Sequence, residues 1–226
     1  MDRAEAEARM REVQRIMERT TLFTLMPGVP AILGGALVLV GCAVSYAMLR
    51  SLDFGALVRV SEDAQWAFCS MWATIGVIAV AYEVIWTARA ARAQGISPTA
   101  RPFRFAAFSL SPSLFVAFIL TFRLLMDSTA RPPEDYARYA DYARYADYVR
   151  YIVPVWMMCY GTGVYTAGLF SVRLPRLLGI AFLLLGAEAL LGFPSYGVAS
   201  AALSFGLLHI VFGLVVMARS RRSTRT

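Results

Sequence analysis

The sequence predicts an all-α protein, a polytopic bundle of transmembrane helices that crosses a lipid bilayer six times. Hydrophobic residues make up 58% of the 226 residues, whereas a soluble domain has roughly 45–50%. The excess lies in runs of about 20 residues with few charges, which is the length a helix needs to span the hydrocarbon core. A soluble fold would have to bury several helices that are apolar on every side, and the chain has too little polar sequence to cover them.

A charged amphipathic helix is predicted ahead of the first apolar run, over residues 1–21. Its acidic and basic residues pair at a spacing of four with the acid first, as in Glu5 and Arg9, which favours a helix. A narrow apolar stripe that includes Met10 follows the helical period. We expect this helix to lie on the membrane surface, to bind a protein partner through residues 2–20, or to be a solvated extension of the first span.

Six apolar segments follow and form the predicted transmembrane domain, residues 22–218. Pro27 and Pro30 remove two backbone N–H donors, so we expect the first membrane helix to start close to Pro30. Pro112 and Pro154 are expected to kink the third and fourth spans. The approximate bounds of the six spans are 22–49, 66–87, 105–126, 151–171, 174–193 and 196–218.

The arginines predict the orientation of the chain in the membrane. All 22 basic residues are Arg. With the N-terminus in the cytoplasm, the cytoplasmic segments hold 15 of them, including those of the basic tail 219–226, and the opposite side holds seven. Because cytoplasmic loops carry the excess of positive charge, this split places both termini inside, as an even number of spans requires.

A six-residue unit, DYARYA, repeats within residues 135–151 of the predicted outer loop. Asp and Arg alternate every three residues, a spacing that suits ion pairs on a helix. Three residues turn a helix by roughly 300°, so the Tyr side chains spiral and form no single apolar face. We interpret the repeat as a tolerated duplication, an interfacial anchor or a binding surface. The candidate anchors are Tyr136, Tyr139, Tyr142, Tyr145, Tyr148 and Tyr151.

Four ionisable residues lie at membrane depth and are the candidate sites: Glu83, Arg123, Glu188 and His209. Such groups are costly in a bilayer, so they usually pair, face the bundle interior or mark a pathway. Their depths suggest two pairs, Glu83 with His209 in the inner half and Arg123 with Glu188 in the outer half. The functional hypothesis is a proton-linked or anion-linked path through Glu188 and His209. The structural alternative is that these groups snorkel or hydrogen-bond neighbouring helices.

Several classes of function are disfavoured by composition. The three cysteines lie in apolar stretches without a second ligand nearby, and the chain has one His, so no metal or other cofactor is expected. The arginines are scattered among the spans, which argues against nucleic-acid binding. No catalytic set or soluble catalytic domain is recognisable, so we expect a protein that is not an enzyme. Small residues four apart, such as Ala31 with Gly35 and Ala202 with Gly206, predict close helix packing.

The start of the chain, REVQRIMERTTLFTLMPGVPAILGG, resembles a group of uncharacterised bacterial membrane proteins. The matching residues are Met17 to Thr20, a Met-Glu-Arg-Thr motif, together with Gly34 and Gly35 in the first span. The resemblance covers about the first 45 residues and the overall hydropathy plan, and the Tyr repeat departs from it. It implies about six spans in the bacterial inner membrane and assigns no activity to any residue.

Two hypotheses of function follow from the sequence. The first is a non-enzymatic structural or regulatory membrane component whose helix at residues 2–20 binds a partner. The alternative is a small transporter or channel subunit with Glu188 and His209 as its intramembrane polar sites.

Overall fold

The computed structural model describes residues 5, 7, 9, 10, 28–93, 95, 97, 101–129, 147–169 and 173–223. Within these ranges the regular elements are all helical, as the sequence predicted. Two short 3-10 helices, Phe54–Arg59 and Pro194–Tyr196, precede the second and the sixth long helix. The long helices are α1 (Gly28–Leu49), α2 (Glu62–Ala93), α3 (Arg101–Thr129), α4 (Ile152–Leu169), α5 (Arg173–Leu191) and α6, which comprises Gly197–Ala201, Ala202–Leu208 and His209–Ser223.

Four helices of the described ranges are long and apolar enough to cross a membrane. They are α1, α2, α5 and the stretch Pro194–Ser220 that contains most of α6. Helix α3 contains a shorter apolar segment, Ala107–Arg123, and α4 has 18 residues. Apolar helices of this length are the hallmark of a membrane protein, because a span of roughly 20 residues matches the hydrocarbon core.

The order of packing places α6 and α4 at the centre of the bundle. Helix α1 packs between α2 and α6, while α4 packs between α3 and α5. The first half of α6 contacts α4 and α5 and so joins the two groups. Helices α2 and α3 each pack mainly against one neighbour and expose large apolar side chains, for example Val77 and Phe115. Such faces are suited to lipid rather than to water.

Glycines let the central helices approach until their backbones touch. A Cβ atom on Gly35 of α1 would lie 2.5 Å from the carbonyl oxygen of Gly206 in α6. A Cβ on Gly161 of α4 would lie 2.9 Å from the carbonyl oxygen of Gly179 in α5. Close approach of this kind increases van der Waals contact, which is a main source of helix association in lipid. The packing role that the sequence assigned to Gly35 and Gly206 is therefore confirmed.

The structure corrects the expectation that Pro154 kinks the fourth span. Helix α4 begins at Ile152, so Pro154 lies in its first turn, where a proline is tolerated. A separate helical turn covers residues 147–150 and ends in a turn at Tyr151, ahead of α4. Because Pro154 has no N–H, it cannot donate to the Arg150 carbonyl and continue that earlier turn into α4. Pro112 lies within α3.

A compact loop, which we call the 51–60 cap, covers the end of the bundle where α1 meets α2. The Asp53 carboxylate accepts a hydrogen bond from the Gly55 backbone N–H at 2.7 Å and another from Arg150 Nε at 2.7 Å. Phe54 packs edge-on against Phe68, with ring centroids 5.2 Å apart. The Leu52 carbonyl accepts a hydrogen bond from the backbone N–H of Val198 at 2.9 Å. The cap thereby ties α1, α2, α6 and the segment before α4 together.

Replacing Gly35 with Ala is expected to destabilise the bundle by about 1–3 kcal/mol, because the new methyl group meets the Gly206 backbone. The matched control is Gly34→Ala in the next position of the same helix, where a Cβ has no neighbour within 4 Å. Thermal unfolding in detergent, followed by intrinsic fluorescence, measures both variants. Equal midpoints for the two variants would contradict the α1–α6 contact described here.

Candidate functional site

A π-helical segment in the middle of α6 creates the local geometry of the candidate site. Residues Ala202–Leu208 form this segment, and His209 directly follows it. In a π-helix the hydrogen bonds join residues five apart, so a residue returns to the face of the one five positions earlier. His209 accordingly lies beside Ser204, with its Nδ1 atom 3.4 Å from the Ser204 carbonyl oxygen. Ser204 is fully buried, and its hydroxyl donates to the Ser200 carbonyl at 2.6 Å.

The central contact of the site joins α4 to α6. The Tyr160 hydroxyl oxygen lies 2.8 Å from His209 Nε2, which is the distance of a good hydrogen bond. The Ser204 carbonyl that faces Nδ1 can only accept, so the neutral ring places its proton on Nδ1. Nε2 is then an acceptor, and the Tyr160 hydroxyl donates to it.

Two phenylalanine rings flank this partly buried hydrogen bond. Phe182 of α5 is fully buried, and its ring centroid lies 4.8 Å from that of Tyr160 and 5.3 Å from that of His209. Phe205 stacks on the imidazole at 6.2 Å with an interplanar angle of 13°. Apolar surroundings of this kind strengthen a hydrogen bond and raise the cost of leaving either partner unpaired.

Glu83 of α2 acts on Tyr160 only through its charge, because within the described residues no hydrogen bond joins the two side chains. One turn further along α2, the Thr87 hydroxyl contacts the Glu83 carboxylate at 3.4 Å. The sequence paired Glu83 with His209 by depth, whereas in the structure the hydrogen-bond partner of His209 Nε2 is Tyr160. We call Glu83, Tyr160 and His209 the polar triad, of which Tyr160 and His209 are joined by a hydrogen bond.

The second predicted pair, Arg123 with Glu188, does not form. Within the described residues no ion pair joins these two side chains. Helix α4 packs between α3, which carries Arg123, and α5, which carries Glu188, and keeps the two helices apart. This pair was predicted only from the similar depth of the two residues in the bilayer, and depth does not show which helices are neighbours. Glu188 instead lines a surface cavity near the end of α5. Met157 also lines this cavity and is buried in the bundle interior, as is Phe182.

The Tyr repeat is described only at its end. Tyr148 and Tyr151 are exposed, as an interfacial anchor requires, while Tyr136, Tyr139, Tyr142 and Tyr145 lie outside the described residues. The predicted pair of Asp147 with Arg150, three residues apart, forms. Val149 is 1% exposed and packs into the core, so this end of the repeat is a structural part of the bundle.

Sequence reasoning missed Tyr160 and the π segment. Tyr160 lies in an apolar span that contains other aromatic residues, and no spacing in the sequence distinguishes it from an interfacial tyrosine. Its role depends on the contact between α4 and α6, which are separated by a whole helix along the chain. The signal that did exist was the single His in an apolar span, since such a residue requires a partner.

Comparison of the chain with protein-family models, with curated proteins and with solved structures finds no match. Any inference about the function of this chain therefore depends on its own structure, and chiefly on the polar triad.

Replacing Tyr160 with Phe is expected to lower the free energy of unfolding by about 1–3 kcal/mol, because His209 Nε2 is left without its donor. Tyr165→Phe is the matched control, since Tyr165 lies on the same helix with an exposed side chain. Denaturant titration in detergent measures the difference. If the two variants unfold alike, the Tyr160–His209 hydrogen bond contributes nothing to the packing of α4 on α6.

Proposed function

We propose that this chain is a small proton-linked membrane transport protein whose proton path runs through the polar triad. The observation that carries the proposal is the hydrogen bond between Tyr160 and His209, which aromatic rings flank. The charge of Glu83 acts on Tyr160 through space. All three side chains carry exchangeable protons. An ionisable group within a span marks a pathway more often than it serves packing alone, because its burial is costly.

The chemistry of the triad favours protons over anions. Its members are a carboxylate, a phenol and an imidazole, and no arginine belongs to it, whereas an anion path needs fixed positive charge. With His209 neutral, the Tyr160 hydroxyl donates to Nε2. When Nε2 takes up that proton, the phenol oxygen is reprotonated through a water molecule that in turn takes a proton from the Glu83 carboxyl group in its acid form. The relay then holds the imidazolium and the Glu83 carboxylate, two opposite charges that stabilise each other.

Further polar groups on α6 and on α2 support a proton path through the bundle. Ser200 and Ser204 lie on the face of α6 that leads to His209, and Ser204 is buried there. Beyond the triad, Thr87 lies one turn past Glu83 on α2. A chain of such groups, completed by water, is the usual structure of a proton relay in membrane proteins.

The proposal includes six spans with both termini on the cytoplasmic side of a bacterial inner membrane. Four helices have the length and hydropathy of spans, and α3 and α4 supply a fifth and a sixth apolar helix. The excess of arginine at the termini and in the segment between α2 and α3 supports this orientation. In this topology the 51–60 cap lies on the outer side, and Thr87 lies toward the cytoplasm.

Proton flux in proteoliposomes tests the proposal. With an imposed membrane potential and a pH-sensitive dye inside, the wild-type protein is expected to acidify or alkalinise vesicles faster than empty liposomes. Glu83→Gln, Tyr160→Phe and His209→Ala are each expected to lower the rate about tenfold or more, since a rise of ~1.4 kcal/mol in the barrier has that effect.

Two matched variants serve as controls for the flux measurement. Tyr165→Phe removes an exposed hydroxyl from the same helix as Tyr160, and Glu62→Gln removes an exposed carboxylate from the same helix as Glu83. Both are expected to keep the wild-type rate. A wild-type rate equal to that of empty liposomes, or equal rates in triad and control variants, would overturn the proposed function.

A second candidate function is partner binding through residues 2–20. The exposure of Met10, 64%, favours it, because this apolar residue of the predicted stripe lies on the surface. Glu5 and Arg9 form the predicted ion pair at 2.9 Å and support a charged helix there. Deletion of residues 2–18 is expected to leave membrane insertion intact and to remove a co-purifying protein partner. Identical co-purification profiles with and without these residues would rule this candidate out.

A further inference from the structure

A cavity of about 360 Å³ opens beside the end of α5, at the turn that leads into α6. This volume falls within the range of small-ligand sites, roughly 300–1,000 Å³. The walls are mainly apolar and come from α4, α5 and α6. They include Met157, Leu185, Ala189, Phe193 and Leu203. Met157 is 1% exposed and closes the floor of the cavity toward the bundle interior.

The polar groups of this cavity are few and differ in kind. Glu188 supplies the one formal charge among the lining residues, and it lies in the last turn of α5. Tyr196, in the short helix ahead of α6, and Ser200, in the first turns of α6, supply hydroxyl groups to the lining. A carboxylate accepts hydrogen bonds from an ammonium group, whereas hydroxyls can donate to the oxygens of a phosphate.

We propose that this cavity binds a membrane lipid whose headgroup carries a primary amine. The ammonium group of the lipid donates hydrogen bonds to the Glu188 carboxylate, and its phosphate accepts from the hydroxyls of Tyr196 and Ser200. The first part of an acyl chain lies along the apolar wall that contains Leu203. Charge complementarity and the apolar wall thus each match one part of the same molecule.

The level of the cavity in the bilayer fits a lipid headgroup. Phe193 and Tyr196 border the cavity and are 53% and 51% exposed. Aromatic side chains with this exposure are typical of the interface between headgroups and hydrocarbon. Glu188 lies three residues before the end of α5, so its carboxylate is at the depth of the headgroups. A small water-soluble cation would not need the apolar wall beside this carboxylate.

This site is separate from the proton path. Glu188 is not part of the polar triad, and none of the three triad residues lines the cavity. The inference uses the membrane placement of the chain, which belongs to the proposed function, and does not use the relay. Loss of lipid binding and loss of proton flux are therefore expected in different variants.

Lipid retention in nanodiscs tests the proposal. The protein is reconstituted in discs of equal parts phosphatidylethanolamine and phosphatidylcholine, released into the gas phase, and analysed by native mass spectrometry. Retained phosphatidylethanolamine is expected to exceed retained phosphatidylcholine, because three methyl groups block the N–H donors of the second lipid. Glu188→Gln is expected to weaken retention about tenfold through loss of the charge-assisted hydrogen bonds.

Two further variants show whether lipid retention depends on the cavity and on this particular carboxylate. Leu203→Trp fills the cavity and is expected to abolish retention of the amine lipid even though Glu188 remains. Glu62→Gln removes an exposed carboxylate from the first turn of α2 and is expected to behave as wild type. Thermal unfolding of each variant checks that the bundle is intact.

Three outcomes would overturn the proposal. They are equal retention of the two lipids by the wild type, unchanged retention by an intact Glu188→Gln variant, and retention of neither lipid together with tight binding of tetraphenylphosphonium. The last result would identify the cavity as a site for a free hydrophobic cation. The Glu188→Gln variant is expected to keep the wild-type rate of proton flux whether or not it retains the amine lipid. A negative result for lipid binding therefore does not count against the proton relay.

Discussion

Backbone contact at glycines sets the distances between the central helices, and the other features of the bundle follow from those distances. Gly28 and Gly35 of α1 meet Gly213 and Gly206 of α6, and Gly161 of α4 meets Gly179 of α5. A methyl group at Gly28, Gly35 or Gly161 would collide with a carbonyl oxygen of the neighbouring helix, so only glycine at these positions permits the close spacing. In a bilayer this closeness replaces the hydrophobic effect, because lipid tails solvate apolar side chains as well as a protein interior does.

The polar triad depends on that spacing. Tyr160 reaches His209 across the contact of α4 with α6, and Phe182 of α5 closes the space beside them. The π segment of α6 contributes a further constraint, since it brings His209 under the buried Ser204 carbonyl and so determines which ring nitrogen faces Tyr160. A regular α-helix would rotate the imidazole away from Ser204 and weaken that preference. The π segment therefore determines which ring nitrogen of His209 carries the proton.

One end of the bundle carries both a tight structural contact and an open cavity. The 51–60 cap uses the Asp53–Arg150 ion pair, with both side chains largely withdrawn from solvent, to join the loop to the segment before α4. The last residues of the repeat thus contribute Arg150 and the buried Val149 to the fold. Beside this cap, Glu188 and the aromatic residues around it remain open at the surface. The tightly packed 51–60 cap is thus a structural contact, whereas the open cavity at Glu188 is suited to binding a ligand.

The sequence by itself determined the all-helical fold, the apolar segments and the residues that are costly in a bilayer, because each depends on composition along a continuous stretch. The lone His209 and the glutamate at position 83 were recognisable for that reason, and so was the close packing at Gly35. The partner of His209 was not, and the Arg123–Glu188 pair was wrong, because both depend on which helices are neighbours. Depth follows from counting residues, whereas adjacency is decided by the glycine contacts and by the position of α4 between α3 and α5. Only the tertiary structure shows that Tyr160 is the hydrogen-bond partner of His209, since helix contacts between distant parts of the chain leave no periodic pattern in the sequence.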